Sequence, residues 1–387
     1  MRTALYVPTS HDYADPERLI ALAQAAEAVG FDGFFIWDTL VFAPGGQTPL
    51  VDATVMLGAL AQATRQIRLG AMVTPLPRRR PWKFAKELAT LDHLSHGRIV
   101  CGVGLGEPAA TDFAPFGEDA SPLGRARRLD EGLAILDPLL RGDAVNHDGN
   151  YYQLRDARLA PACLQSPRPP IWVAAALPAQ AGFRRAARWD GCFPIKFPAT
   201  ALGSATQIDW SEWWLSPQEF AGGVELIRRL RVDLESPFEH VASGRTIYHQ
   251  DDPAETLASY AAAGATWWFE WVMDEPGTFE RTLEAVRRGP PRMTLLTPTQ
   301  TQELHQAVRT LHAEIDKAAR GDQQSLAELQ RLIVSVEHEL ASASVASPSL
   351  ASGLRGLRAQ IARLEFAHPR ATAILNDISM TLSNLGI

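Results

Sequence analysis

The sequence is short of the features that would tie it to a charged polymer, a membrane or a metal. Its 37 basic residues are outnumbered by 44 acidic ones, giving a formal charge of -7, so no diffuse positive field exists to attract nucleic acid or an anionic membrane. There are only three cysteines, Cys101, Cys163 and Cys192. They lie far apart and never form a C-x-x-C pair, which argues against a disulfide framework and a zinc site and fits a reducing compartment. The ten histidines include no H-E-x-x-H or comparable spacing, so no metal is expected. No apolar run reaches membrane-spanning length, and residues 1–8 read as a short alternating strand rather than a cleavable leader. These absences predict a cytoplasmic protein acting on a small molecule, without nucleic acid or membrane as partner.

What is present is core-forming. With 387 residues, 46% hydrophobic and 21% charged, the chain exceeds what one core usually organises, so a large domain with a smaller companion is expected. A strand at residues 3–7 is followed by Asp15, Pro16 and Glu17, an N-cap, a first-turn proline and an early acid. Leu19, Leu22, Ala23, Ala26 and Val29 then recur at helical spacing until Gly30. The alternation continues with strands at 33–37, 67–73, 98–103, 171–175, 191–195, about 238–247 and 266–272, separated by helical patterns and apolar on both faces. Eight such units predict a (β/α)8 TIM barrel over residues 1–292. An excursion after the fourth strand, residues 105–170, carries a helix at 124–140 and a hairpin through Tyr151 and Tyr152. It leaves from a strand's C-terminal end, where barrel active sites are built, and is expected to cover the site. Past a linker at 293–298 the pattern is helical only, with Leu304, Val308, Leu311 and Ile315 on one face and Leu326, Leu329, Ile333, Val336 and Leu340 on another. Residues 299–387 are expected to form an all-α helical hairpin or bundle.

Several separated motifs share one likeness. They are Phe31-Asp32-Gly33 through Trp37-Asp38, Val73-Thr74-Pro75-Leu76-Pro77-Arg78-Arg79-Arg80-Pro81, Leu91-Asp92-His93-Leu94-Ser95-His96-Gly97-Arg98, and Gly102-Val103-Gly104-Leu105-Gly106-Glu107. Pro170-Ile171-Trp172-Val173-Ala174, Ala186-Ala187-Arg188-Trp189-Asp190-Gly191 and Gly264-Ala265-Thr266-Trp267-Trp268 complete the set. Together they resemble the luciferase-like monooxygenase superfamily, in order, over residues 1–290. The resemblance implies FMN or the deazaflavin coenzyme F420 at the C-terminal ends of the strands, with the hard chemistry belonging to the cofactor. It also implies a small organic substrate and, with FMN, a separate flavin reductase. The tail, through Phe366-Ala367-His368-Pro369-Arg370 and Asn384-Leu385-Gly386-Ile387, looks like a family of small bacterial helical proteins of uncharacterised function. That implies a fusion, with a homo-oligomer through the barrel or the tail.

Candidate site residues follow from these positions. Gly104 and Gly106 either close a strand into a tight turn or let backbone approach a flat ring with no Cβ between. Their G-x-G-x-G spacing with Pro108 next is not a dinucleotide fingerprint. Ala175, Ala176 and Leu177 precede a helix expected to open at Pro178, so their backbone N–H groups could hold a cofactor phosphate or simply make a turn. Thr74 ends the third strand, where the family often carries a strained peptide beneath the ring. Asp38 ends the second; relatives often follow it with histidine, and Thr39 stands there instead, so Asp38 is either a catalytic group or a buried acceptor. Glu107 is a proton-transfer candidate by resemblance, or a solvated loop acid. Arg78, Arg79 and Arg80 read as a solvated face or as partners for Glu87 and Asp92. His11, Thr39, Trp267 and Trp271 are candidate pocket residues, with Trp268 on the opposite strand face from the two tryptophans. The leading function is a flavin-dependent monooxygenase or deazaflavin-dependent oxidoreductase. The alternative is a non-catalytic flavin-binding barrel whose helical tail drives assembly.

Overall fold

A computed structural model describes residues 1–42, 47–196, 210–248, 253–273 and 275–291, together with Arg309. Strand β1 (Arg2–Val7) leads through a 3-10 turn to α1 (Pro16–Ala28), and β2 (Gly33–Ile36) leads to α2 (Ala53–Ala63). Then come β3 (Arg68–Ala71), β4 (Thr74–Pro75), α3 (Pro81–Leu94) and β5 (Cys101–Gly104). The excursion follows as α4 (Ala109–Asp112), α5 (Pro122–Arg141) and a hairpin of β6 (Val145–Asp148) with β7 (Gln153–Ala157). Four more pairs finish the series: β8 (Ile171–Leu177) with α6 (Ala181–Ala186), β9 (Gly191–Lys196) with α7 (Pro217–Leu230), β10 (Glu239–Gly244) with α8 (Ala254–Ala262), and β11 (Trp267–Trp271) with α9 (Phe279–Arg287).

Local chemistry sets the helix starts. The side chains of Asp15, Asp52 and Ser121 accept from backbone N–H groups of the first turn, and Ser216 with Glu219 forms a reciprocal capping box. Pro16, Pro122 and Pro217 occupy the first helical position, where a missing N–H costs nothing.

The barrel strands are parallel in the order β3-β2-β1-β11-β10-β9-β8-β5-β4. Its two ends, β3 and β4, are pieces of one barrel strand. The ring closes because Leu69 N–H donates to the Arg98 carbonyl at 3.1 Å and Val100 N–H to the Leu69 carbonyl at 2.8 Å. This is the expected eight-unit barrel with its excursion after the fourth strand. One residue set of each strand fills the interior: Ala4 and Tyr6, Phe35 and Trp37, Trp172, Phe193, and Trp267, Phe269 and Trp271. The alternate set, including Leu5, Val7, Phe34, Ile36, Leu69 and Val173, packs under the helices. Burial on both sides is why the strands read as continuous apolar runs.

Two boundaries differ from the sequence reading. The third strand, expected over 67–73, is interrupted after Ala71, and the Met72–Val73 peptide is cis. The fifth barrel strand runs on to Leu177 and its helix starts at Ala181, not at Pro178. A six-residue helix that begins three residues later does not supply the N-terminal N–H groups expected just after Leu177. The three cysteines are free thiols, and burial pushes Cys101 and Cys163 up to about 12, so neither carries reactive thiolate near neutral pH.

The chain divides into one unit, Met1–Asp251 with Ser259–Pro291, and a second, Asp252–Ala258 with Arg292–Ile387. The linker at 293–298 and, apart from Arg309, the helical module at 299–387 lie outside the described residues. Among the described residues, no helix is long and apolar enough to cross a membrane.

Arg98 shows how the outer layer is held. Its guanidinium donates to the Ala61 carbonyl at 2.8 Å, the Thr64 carbonyl at 3.1 Å, the Ile67 carbonyl at 2.8 Å and the Ser95 carbonyl at 2.7 Å. Ala61 and Thr64 stand at the end of α2, whose last carbonyls have no partner within the helix. Arg98→Met leaves several buried acceptors unmet and is expected to lower the unfolding free energy by about 3 kcal/mol. Urea unfolding at constant m-value is the measurement, and a loss below about 1 kcal/mol would contradict this account.

Candidate active site at the barrel mouth

The interior is not filled to the top. Along β8 the inward residues are Trp172, Ala174 and Ala176; Trp172 is buried, while the two alanines are half-buried. On β9 their partners in register are Phe193 beside Ala174 and Ile195 beside Ala176, again buried and then half-buried. Val73, also half-buried, packs on the same inner cluster. Solid filling therefore ends near Ala174, and Val73, Ala174, Ala176 and Ile195 form an apolar shelf of small and medium side chains at the strands' C-terminal ends.

The glycines below this shelf are needed by the protein's own packing. A Cβ on Gly104 would lie 2.5 Å from Val73 Cγ2 and 3.3 Å from the Ala174 Cβ. Gly106 has a φ of 83°, and a Cβ there would lie 2.6 Å from the Pro75 Cβ and 2.8 Å from the Phe113 ring. The expectation that missing side chains leave room for a ring is corrected: Val73, Pro75 and Phe113 occupy that room.

An aromatic wall rises beside the shelf. The Tyr6 hydroxyl donates to the Met72 carbonyl at 2.5 Å, and its ring lies 5.1 Å from Trp271 and 5.9 Å from Trp37. Burial pushes the Tyr6 phenol well above its ordinary value, so it stays a donor through the physiological range. Trp214 lies 6.1 Å from Trp271.

A buried charge network frames the opening. Arg78 donates to Asp38 at 2.7 Å and also to Asp112, and Arg79 spans Asp38 at 2.9 Å and Glu87 at 3.1 Å. Asp112 accepts the backbone N–H groups of Leu40 at 2.5 Å and Val41 at 3.2 Å. Burial pushes the Asp112 carboxyl up, against the pull of Arg78 and the two N–H groups. The Arg78 side chain is 5% exposed; it is no solvated face, and Asp92 instead accepts from Leu164 and Gln165. Glu107 accepts from Arg125 at 2.8 Å and from the Ala109 N–H at 2.9 Å.

The residues singled out in the sequence divide accordingly. Ala176 is on the shelf and Trp271 in the wall, while Thr39 and His11 are half-buried where β2 and β1 end. Thr74 pairs in register with Val103, which belongs to the outer layer, so its side chain turns from the axis and the inward place falls to Val73. Ala175 likewise lies in the outer layer, and Leu177 packs against it. Trp267 is at the opposite end of the barrel, paired with Arg2, whose guanidinium lies 4.8 Å from its ring; it is floor, not pocket. Asp38 and Glu107 are both engaged by arginines. Sequence reasoning missed Tyr6, Val73, Ala174, Asp112 and Trp214. Strand alternation was a usable signal for Tyr6 and Ala174, while Asp112 sits in a stretch with no periodicity to mark it.

Glu270, fully buried on the outer face of β11, accepts from Trp268 Nε1 at 2.8 Å, Thr246 Oγ1 at 2.6 Å, Ile247 N–H at 3.1 Å and the Thr246 N–H. Burial pushes its carboxyl above the ordinary value despite these donors. A raised folded-state pKa gives stability that is complete below the unfolded value of 4.5 and is lost as pH rises through the folded one. The unfolding free energy of the native protein minus that of Glu270→Gln should thus fall with increasing pH above 4.5, by at most about 1.4 kcal/mol per pH unit. A pH-independent difference in denaturant titrations would refute it. Tyr6→Phe, which strips the donor from the Met72 carbonyl, should cost about 1–2 kcal/mol in the same assay; no loss would mean that the carbonyl finds another donor.

Comparison with known proteins agrees with this architecture. Residues 1–333 match the luciferase-like monooxygenase family, and residues 304–387 match a domain of unknown function (DUF4404). An F420-dependent glucose-6-phosphate dehydrogenase of Beutenbergia cavernae is 38% identical over 159 residues, 40% of this chain and 46% of that protein. An uncharacterised protein of Sinorhizobium fredii is 33% identical over 180 residues, 46% of this chain and 48% of that protein. The chain thus spans about half the length of these curated relatives. Among solved structures, a monooxygenase from Streptomyces bottropensis superposes with a TM-score of 0.55 at 20% identity, covering 74% of this chain and 97% of its own. The coenzyme F420 dependent tetrahydromethanopterin reductase from Methanopyrus kandleri gives 0.54 at 16% identity, covering 75% and 98%. At such identities the superpositions show the fold alone; with the match over residues 1–333, this chain belongs to the luciferase-like monooxygenase family.

Proposed function

We propose that the chain is an oxidoreductase that holds FMN or coenzyme F420 at the barrel mouth and acts there on a small organic substrate. The observation that carries this reading is the apolar shelf of Val73, Ala174, Ala176 and Ile195, at the depth where the filled interior stops. A flat tricyclic ring needs such a surface: apolar, open on one side and backed by rigid structure. The F420-dependent Beutenbergia dehydrogenase and Methanopyrus reductase support the deazaflavin choice, and a riboflavin lyase holding a modified FMN, with a TM-score of 0.52, supports the flavin one. With FMN, a separate reductase would supply the reduced form.

When bound, the cofactor supplies two-electron redox chemistry. The chain's own residues position and enclose it. Val73, held over Gly104, and Ala176 would contact the ring; Tyr6 holds the Met72 carbonyl; Ala175 and Leu177 would contact it through backbone alone. Asp38 and Glu107, bound to arginines, are assigned to holding the mouth in shape rather than to moving protons. Thr39 and His11 face the substrate side.

Titrating the full-length protein with FMN and with F420, oxidised and reduced, tests the reading by absorbance and calorimetry. Micromolar binding of one of them is expected. Ala176→Phe, which fills the shelf, should weaken that binding roughly tenfold or more while costing little stability, since the position is half-buried. Binding of neither cofactor, or indifference to Ala176→Phe, would sink it.

A further inference from the structure

We propose that Arg245 and the indole N–H of Trp214 form an oxyanion subsite at the barrel mouth, receiving a carboxylate or phosphate of the bound ligand. This deepens the redox reading and relies on it only for the identity of the ligand. On β10, Val241 pairs in register with Trp267 and Ser243 with Phe269, both interior residues. The same alternation turns Arg245 inward at the level of Trp271, one residue past the strand's end. Its guanidinium carbon lies 5.9 Å from the centre of the Trp214 ring, which stands 6.1 Å from Trp271, so the cation sits against the aromatic wall.

What separates Arg245 from the other cations here is that no carboxylate among the described residues pairs with it. Arg78, Arg79 and Arg125 are ion-paired with Asp38, Asp112, Glu87 and Glu107, and Lys196 is 2.8 Å from Glu219. Among the described residues, Arg245 makes no hydrogen bond or ion pair, and its buried Nε and the buried Nε1 of Trp214 both lack an acceptor. Unmet buried donors are costly, and two of them side by side at a ligand-facing rim mark a place completed by what binds. A guanidinium and an indole offer donors only, so the complement is an acceptor, and the uncompensated positive charge makes it an anionic one. The loop is held in place from behind: Glu270 takes the Thr246 hydroxyl and the backbone N–H groups of Thr246 and Ile247, the two residues after Arg245.

Inorganic phosphate serves as the probe, titrated calorimetrically into the full-length protein. Arg245→Met should weaken its binding at least tenfold and Trp214→Phe, which removes only one donor, roughly threefold, as expected for charge-assisted bonds. Arg229→Met, at an exposed helix position, should leave it unchanged. Should Arg245→Met fail to fold, Arg245→Lys, which keeps the charge and loses the fork, should still weaken phosphate several-fold. FMN and riboflavin, which lacks the phosphate, identify the source. A tenfold loss of FMN affinity in Arg245→Met with riboflavin unaffected assigns the oxyanion to the cofactor. Phosphate binding through Arg245 that persists in FMN-saturated protein assigns it to the substrate. If phosphate binds through Arg245 while neither FMN nor F420 binds, the subsite stands and the redox reading falls. Equal phosphate affinity in the native protein and Arg245→Met, or no phosphate binding together with unchanged FMN affinity, overturns the proposal.

Discussion

Arg78 lies between Asp38 and Asp112 with the three side chains almost wholly withdrawn from water, and such a cluster is tolerable only when every charge is answered in good geometry. Here each one is. Asp38 shares two arginines, Asp112 takes two backbone N–H groups as well as Arg78, and the second terminal nitrogen of Arg79 pairs with Glu87. The participants come from the end of the second barrel strand, the segment after the third and the excursion after the fourth. No local propensity would bring these segments together, so this electrostatic closure decides where the excursion sits. The arrangement at the mouth, including the placement of Leu40 and Val41, depends on it.

The same logic recurs in smaller form beside it. Arg125, reaching up from α5, takes the Gly106 carbonyl and Glu107, and its guanidinium lies 5.2 Å from the Phe113 ring. Phe113 in turn occupies the space over Gly106. A glycine pair that looks from sequence like an invitation to a ligand is in fact the counterpart of the protein's own packing. The surface we propose for the ligand lies on the side chains that cover those glycines, above all Val73.

How much of this was legible depends on the range of the interaction. Strand and helix alternation, the N-caps at Asp15 and Asp52 and the helix over 124–140 are local, and the sequence carries them openly. The face of each β11 tryptophan followed from period-two alternation, and Trp268 does turn away from Trp267 and Trp271. Height within the barrel did not follow, because alternation gives a side but not a level; only the pairing of Trp267 with Arg2 reveals it as floor. The break in the third strand exchanged the expected roles of Val73 and Thr74. The Arg78–Asp112 pair spans 34 positions of chain, beyond any periodic pattern; the run of three arginines read as a solvated face or as partners for Glu87 and Asp92, and of those partners Glu87 does take Arg79.

Trp172, Ala174 and Ala176 follow one another on the inner face of a single strand, and two residues of a strand advance only about 6.6 Å. Within that distance the lining passes from close-packed interior to the half-buried surface proposed to face the ligand. A lineage could therefore exchange side chains at 174 and 176, changing which molecules are accommodated, while the layer that carries the folding energy one step below stays untouched. Catalytic diversification and architectural endurance are stacked on the same strand instead of competing for the same residues.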